Sequence, residues 1–241
     1  MRTIARIDIK NNHVIKGINL EGLRKVGDPS EIIKKYYKND IDELLIIDSV
    51  ASLYGRNNLF SLIKNITKEI FVPITLGGGI RTLKDIESSL NSGADKVAIN
   101  SKALENPDFL TEAVNNFGES TIIVNIEAKK ISSENWEPYK FCGREKTNIN
   151  IHDWIKTIQD KGCGEIILTS IDFEGTETGF DIELISNIYK IINKPLIVSG
   201  GCGSLNDILD LKRRFRKVSI ALASVLHYNT LSIPEIKKNL E

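Results

Sequence analysis

The stretch VPITLGGGIRTLKDI, residues 72–86, aligns without a gap to KPLIVSGGCGSLNDI, residues 194–208, an offset of 122 in a chain of 241 residues. Each copy is a β-branched apolar run, a glycine pair and a polar segment that opens a helix, the pattern of one βα unit. The repeat extends outward. SLIKNI at 61–66 maps at the same offset onto ELISNI at 183–188. Near that displacement, IDIK at 7–10 mirrors IEAK at 126–129, and Ser101 mirrors Ser224. An offset close to half the length predicts four βα units followed by four more.

Eight runs fit strands: IARIDI, ELLIIDS, VPITLGGG, KVAINS, TIIVNIEA, EIILTS, KPLIVSGG and VSIALAS. Helices are expected between them over Pro29–Tyr37, Leu59–Thr67, Thr82–Ser92, Pro107–Phe117, Ile151–Asp160, Asp181–Ile192 and Leu205–Phe215. Asp28 before Pro29, Thr82 with Asp85, and Asn106 before Pro107 supply cap chemistry. Strict alternation of strand and helix requires a parallel sheet covered by helices. A doubly wound sheet and a closed (β/α)8 TIM barrel both satisfy that rule. The duplication favours the barrel: one domain over 1–241, built from half-barrels at about 1–119 and 120–241.

Composition narrows the function. With 32 Lys+Arg against 32 Asp+Glu, the chain has no bulk field to draw in a polyanion, so nucleic-acid binding is not expected. Forty-one per cent hydrophobic residues suit a folded body, and no apolar run is long enough to span a membrane. Cys142, Cys163 and Cys202 lie far apart, which suggests neither a disulfide framework nor a zinc site. Asp8 and Lys10 break the N-terminal segment where a secretory signal needs apolar residues, so the cytoplasm is expected. His13, His152 and His227 do not cluster and G-x-G-x-x-G is absent, so neither a metal nor a dinucleotide cofactor is expected.

In such a barrel the chemistry sits at the C-terminal strand ends, where the βα loops converge. Gly77, Gly78 and Gly79 follow the third strand; Ser199, Gly200 and Gly201 follow the seventh. Residues without Cβ let backbone N–H groups close on an anion, and the next helix N-terminus favours it. Asn100 and Ser101 after the fourth strand, and Ala223 and Ser224 after the eighth, complete each cradle. Two phosphate cradles across one mouth suit an elongated ligand with a phosphate at each end. Between them Asp8 and Glu127, on opposite strands, form a candidate acid–base pair. Asp48 ends the second strand. Lys16 falls in the insertion VIKGINLEGLRKVGDP, which reads as a mobile lid whose Lys16, Arg24 and Lys25 reach a phosphate.

The chain resembles the cyclase subunit of imidazole glycerol phosphate synthase, a (β/α)8-barrel family of histidine biosynthesis, over essentially its whole length. The carriers are IDIKNNHVIKGINLEGLRKVGDP, ELLIIDSVAS, PITLGGGIR, SGADKVAINS, GEIILTSIDFEGTETGFD, IVSGGCG and LASVLH. The sister isomerase of the pathway shares the duplicated plan but is less similar around TSIDFEGTETGFD and LASVLH. The resemblance implies a bis-phosphorylated substrate, phosphoribulosyl-formimino-aminoimidazole carboxamide ribonucleotide. Ammonia attacks it to give imidazole glycerol phosphate and the aminoimidazole carboxamide ribonucleotide. It adds Thr169, Glu174 and Gly175 to the substrate-binding set. It further implies a glutaminase partner at the N-terminal barrel face, with Arg2, Glu43, Lys96 and Glu165 as the ammonia gate.

The chain also departs from the family. Glu127 stands where the family has its second catalytic aspartate, Glu174-Gly175 where it has Asp-Gly, and Arg6 where it has a small residue. RRFRKVS at 213–219 replaces a Gly-Ala-Asp-like turn. Such drift fits two other readings: a paralogue channelling ammonia to amidino groups on nucleotide sugars of surface polysaccharides, or a non-catalytic barrel partner of a glutaminase. Retention of Asp8 and of Lys16-Gly17-Ile18-Asn19 favours the histidine pathway.

Overall fold

All eight predicted runs become strands in the computed structural model, which describes residues 1–51 and 59–240; Ser52 of the quoted ELLIIDSVAS lies outside the described residues. The barrel strands are β1 (Thr3–Lys10), β4 (Glu43–Asp48), β5 (Ile74–Gly77), β6 (Lys96–Ile99), β7 (Ile122–Ser132), β10 (Glu165–Ser170), β11 (Leu196–Ser199) and β12 (Val218–Leu222). Each pairs in parallel with the next, β12 pairs with β1, and β10 pairs with β7, so the sheet closes. This is a (β/α)8 barrel.

The helices are α1 (Pro29–Lys38), α2 (Phe60–Ile66), α3 (Leu83–Asn91), α4 (Ser101–Glu105), α5 (Asp108–Phe117), α6 (Ile151–Asp160), α7 (Ile182–Tyr189), α8 (Leu205–Arg214), α9 (Ser224–His227) and α10 (Ile233–Leu240). Asp28 caps α1 through the Glu31 N–H, and Thr82 and Ser204 form matching capping boxes with Asp85 and Asp207 at the start of α3 and α8. The cap expected from Asn106 is absent. Its backbone N–H instead closes the end of α4 on the Lys102 carbonyl, and α5 starts from Pro107.

Side chains alternate across each strand, which splits the apolar residues into two cores. On β4, Leu44 and Ile46 face the helices, while Leu45 and Ile47 face inward. The inner set is small: Ile4, Leu45, Ile47, Ala98, Ile123, Ile167, Ile197 and Ala221. The same alternation puts charged residues above and below it. Glu43, Lys96 and Glu165 start their strands; Arg6, Asn125, Thr169 and Ser199 lie one inward step beyond the apolar layer.

Two hairpins were not foreseen. The insertion expected as a lid folds as antiparallel strands β2 (His13–Ile18) and β3 (Glu21–Gly27), continuing the sheet from the end of β1. Its two-residue turn, Asn19-Leu20, has both φ values positive, 53° and 63°, as a type I′ turn requires. Leucine there conceals the turn from a composition-based reading. Likewise β7 runs on past the mouth and folds back as β8 (Asn135–Lys140) and β9 (Glu145–Lys146), burying Trp136. Among the described residues no helix is long and apolar enough to cross a membrane.

Candidate active site

The two glycine runs take the same backbone shape. Gly78 and Gly79 have φ of 92° and 72°, and Gly200 and Gly201 both have 96°. A Cβ on Gly78 would collide with the Asp48 carbonyl, and one on Gly201 with the Gly179 carbonyl, so only glycine fits either turn. The helix starts match as well. Asn100, ahead of α4, has φ −125° and ψ −86°; Ala223, ahead of α9, has φ −127° and ψ −78°. No side chain caps either helix, as suits an end that receives an outside anion.

Each cradle lines a cleft. The first, a cavity of about 160 Å³, is bordered by Gly78, Gly79, Asn100, Ser101 and Glu127. The second is bordered by Ser199, Gly200, Gly201, Ala223 and Ser224, with Lys16 and Glu174. A central cleft shares Glu127 with the first and Lys16 with the second, and contains Arg6 and Asp8. The predicted residues therefore form one row: cradle, Glu127, Asp8, Lys16, cradle.

Glu127 is buried at the C-terminal end of the barrel portion of β7, and its Oε2 accepts from Asn100 Nδ2 at 3.1 Å and from the Gly143 N–H at 3.0 Å. Burial pushes its carboxyl up to about 7, against the pull of Arg6 and the Gly143 amide, with Asp8 adding to the rise. It thus exchanges a proton near neutrality. Asp8 takes both of its oxygens to Arg6 Nε, at 3.1 and 3.2 Å. The two carboxyls of the predicted pair are held in different ways, one by neutral donors and one by a guanidinium.

Lys16 is not in a loop but on β2, buried and ion-paired with Glu174. Burial lowers its ammonium to about 8. The hairpin tip is tied down beside it: the Asn19 N–H donates to the Glu174 carbonyl at 2.6 Å, and Asn19 Nδ2 to the carbonyls of Ile171 and Asp172. Replacing Lys16 by methionine leaves Glu174 charged and unpaired, so Lys16→Met is expected to cost about 3–5 kcal/mol, most of it recovered in Lys16→Met/Glu174→Leu. Urea denaturation of both variants checks this; a single variant as stable as wild type contradicts the pairing.

Some predicted residues do structural work. Asp48 Oδ1 accepts from the backbone N–H groups of Val50 and Ala51, shaping the turn after β4. Gly77 packs against Ile47 and Ala98 inside the barrel. At the opposite face, Arg2, Glu43, Lys96 and Glu165 form one network: Arg2 Nη1 reaches Glu43 at 2.9 Å, Lys96 Nζ reaches Glu165 at 2.7 Å and Glu43 at 3.2 Å, and Arg2 Nη2 pairs with Glu165. Although burial opposes it, the hydrogen bonds from Arg2 and Lys96 hold the Glu165 carboxyl below its ordinary range.

The structure adds residues that sequence reading did not place in the site. Arg81 and Lys102 bring cations to the first cradle, Asn125 sits beside Glu127, and Gly143 comes from the β8–β9 hairpin. Asn125 and Arg6 were legible in principle, because each is two residues before a predicted carboxylate and so shares its inward face.

The sequence model of the family described as histidine biosynthesis protein matches residues 2–232. A protein of Legionella pneumophila named imidazole glycerol phosphate synthase subunit HisF is 47% identical over 207 residues, covering 86% of this chain and 98% of its own. Proteins of the same name from Lactococcus lactis subsp. cremoris (strain MG1363) and Hydrogenobaculum sp. (strain Y04AAS1) are each 41% identical over 240 residues. They cover 99% and 100% of this chain and 93% and 95% of their own. The chain belongs to the histidine biosynthesis protein family.

Proposed function

With that membership as premise, we propose that the chain works as the HisF-type cyclase subunit of imidazole glycerol phosphate synthase. It uses ammonia to convert phosphoribulosyl-formimino-aminoimidazole carboxamide ribonucleotide into imidazole glycerol phosphate and aminoimidazole carboxamide ribonucleotide. One observation carries the reading: two matching glycine cradles on opposite sides of one mouth, with Glu127 and Asp8 between them. The cradles take the two phosphates of the substrate, one through Gly78, Gly79, Asn100 and Ser101, the other through Gly200, Gly201, Ala223 and Ser224.

Ammonia loses protons as its nitrogen forms bonds to carbon, and the carboxamide ribonucleotide leaves as an amine that must gain one. Asp8 and Glu127 serve these transfers. A positioned carboxyl contributes about 10²- to 10⁴-fold to such a step. Neither phosphate needs a basic protein surface, since backbone N–H groups and Arg81, Lys102 and Lys16 act locally.

As one subunit of a synthase, the chain takes its ammonia from a glutaminase docked at the N-terminal barrel face. The ring of Arg2, Glu43, Lys96 and Glu165 lies at that face and is read as the gate. The assembly works in the cytoplasm, and this chain enters it as one barrel domain of two half-barrels, about 1–119 and 120–241. Expression in a histidine auxotroph lacking its own cyclase, together with a working glutaminase, tests the reading. Growth without histidine is expected. No growth, with the protein soluble and abundant, overturns it.

A further inference from the structure

Arg6 is a buried cation of the barrel interior, at 2% exposure. It lies on β1 between Ile4 of the inner apolar cluster and Asp8 at the mouth, all three on the inward face. A guanidinium in such a place is costly unless its donors are met by charge and hydrogen bonds. Here they are. Nε donates to both oxygens of Asp8, and Nη1 crosses the barrel to Thr169 Oγ1 at 2.8 Å and Ser199 Oγ at 3.2 Å.

These partners are not scattered. In the strand register Thr169 pairs with Glu127 on one side and with Ser199 on the other. Ser199 opens the second cradle. One rigid fork therefore joins the carboxylate on β1 to the strand between Glu127 and the cradle. The other ionisable groups acting on it are Glu127 of β7, Lys16 of β2 and Cys142 of the turn after β8. Burial works against its charge, yet Asp8 and Glu127 together hold the guanidinium above its ordinary range, so it is a permanent cation between two carboxyls.

We propose that Arg6 is a positioning residue for the cyclase reaction: by gripping Asp8 through both oxygens and tying it to Thr169 and Ser199, it sets the acid–base pair in fixed relation to the second phosphate cradle. The proposal rests on the function assigned above. Neither the gate residues nor the cradles account for Arg6, whose hydrogen bonds go to Asp8, Thr169 and Ser199.

The test uses the full chain with Arg6→Met, Arg6→Lys and Arg6→Ala, each checked for folding by its denaturation midpoint. Two readouts are taken. The first needs no substrate: the carboxyl of Glu127, followed by carbon NMR through a pH titration, should titrate higher in Arg6→Met than in wild type and stay near wild type in Arg6→Lys. The second is turnover with ammonium and the ribulosyl substrate. In Arg6→Met kcat should fall on the order of 10²-fold with little change in KM, the loss expected of a misplaced catalytic group. Arg6→Ala should regain part of its rate when guanidinium ion is added. Unchanged kcat and an unchanged Glu127 titration in a folded Arg6→Met overturn the proposal. So does a rate loss that neither lysine nor guanidinium restores while Glu127 titrates as in wild type, since that marks a structural role. An inactive wild type overturns the assigned function instead, and the NMR titration still decides whether Arg6 governs the pair.

Discussion

Asp8→Asn and Glu127→Gln are each expected to lower kcat by roughly 10²- to 10⁴-fold, the share that one positioned proton-transfer group contributes. The two changes act differently on the folded state. In Asp8→Asn the Arg6 guanidinium keeps a hydrogen-bond acceptor but loses the charge that its Nε grips, so stability falls along with activity. In Glu127→Gln the donors Asn100 Nδ2 and the Gly143 N–H still find the amide oxygen, and the fold is retained. Because the two residues act as a unit, the double variant is expected to lose little beyond the worse single one. Steady-state kinetics with saturating ammonium, on proteins shown to be folded by circular dichroism, measure this. A Glu127→Gln variant with near wild-type kcat removes Glu127 from the chemistry.

The second large effect is on stability against pH. Folding raises the Glu127 carboxyl from 4.5 to about 7, so the folded state binds its proton more tightly than the unfolded chain. Stability from this group is full below about 4.5 and is lost as pH rises through 7, by roughly 3 kcal/mol in all. His227 slopes the other way. Its imidazole is buried and bonded to the Tyr36 hydroxyl, and burial lowers it from 6.5 to about 4. That group adds stability as pH rises between those values. The two partly cancel in wild type, and the difference between wild type and Glu127→Gln isolates the first. Glu127→Gln is therefore expected to gain on wild type as pH goes from 5 to 8, by up to those roughly 3 kcal/mol, in urea denaturation read at each pH. A pH-independent difference contradicts the burial of an ionising carboxyl at this position.

This cost explains why much of the site was legible and part of it was not. Strands and helices declare themselves through β-branched runs and caps such as Asp28 and Thr82, which act over a few residues. The cradles were readable because a duplicated glycine run has a local cause, a backbone that excludes Cβ. What stayed hidden depends on distant partners. Arg6 shares the inward face of Asp8 on β1, but its partners Thr169 and Ser199 lie on distant strands that only the closed barrel brings to it. Lys16 reads as a loop residue until the Asn19-Leu20 turn places it on a strand beside Glu174 and the second cradle. The extra methylene of Glu127, a departure when read from sequence, is met by Asn100 and Gly143, and the second of these comes from a hairpin that composition does not reveal.

The duplicated mouth is proposed to close the imidazole ring. Purified protein, given the ribulosyl substrate and excess ammonium without any partner, is expected to release imidazole glycerol phosphate and the carboxamide ribonucleotide in equal amounts, at a rate that follows free ammonia. Substrate that binds, shown by protection of the fold on heating, yet yields neither product at any ammonia concentration would contradict it.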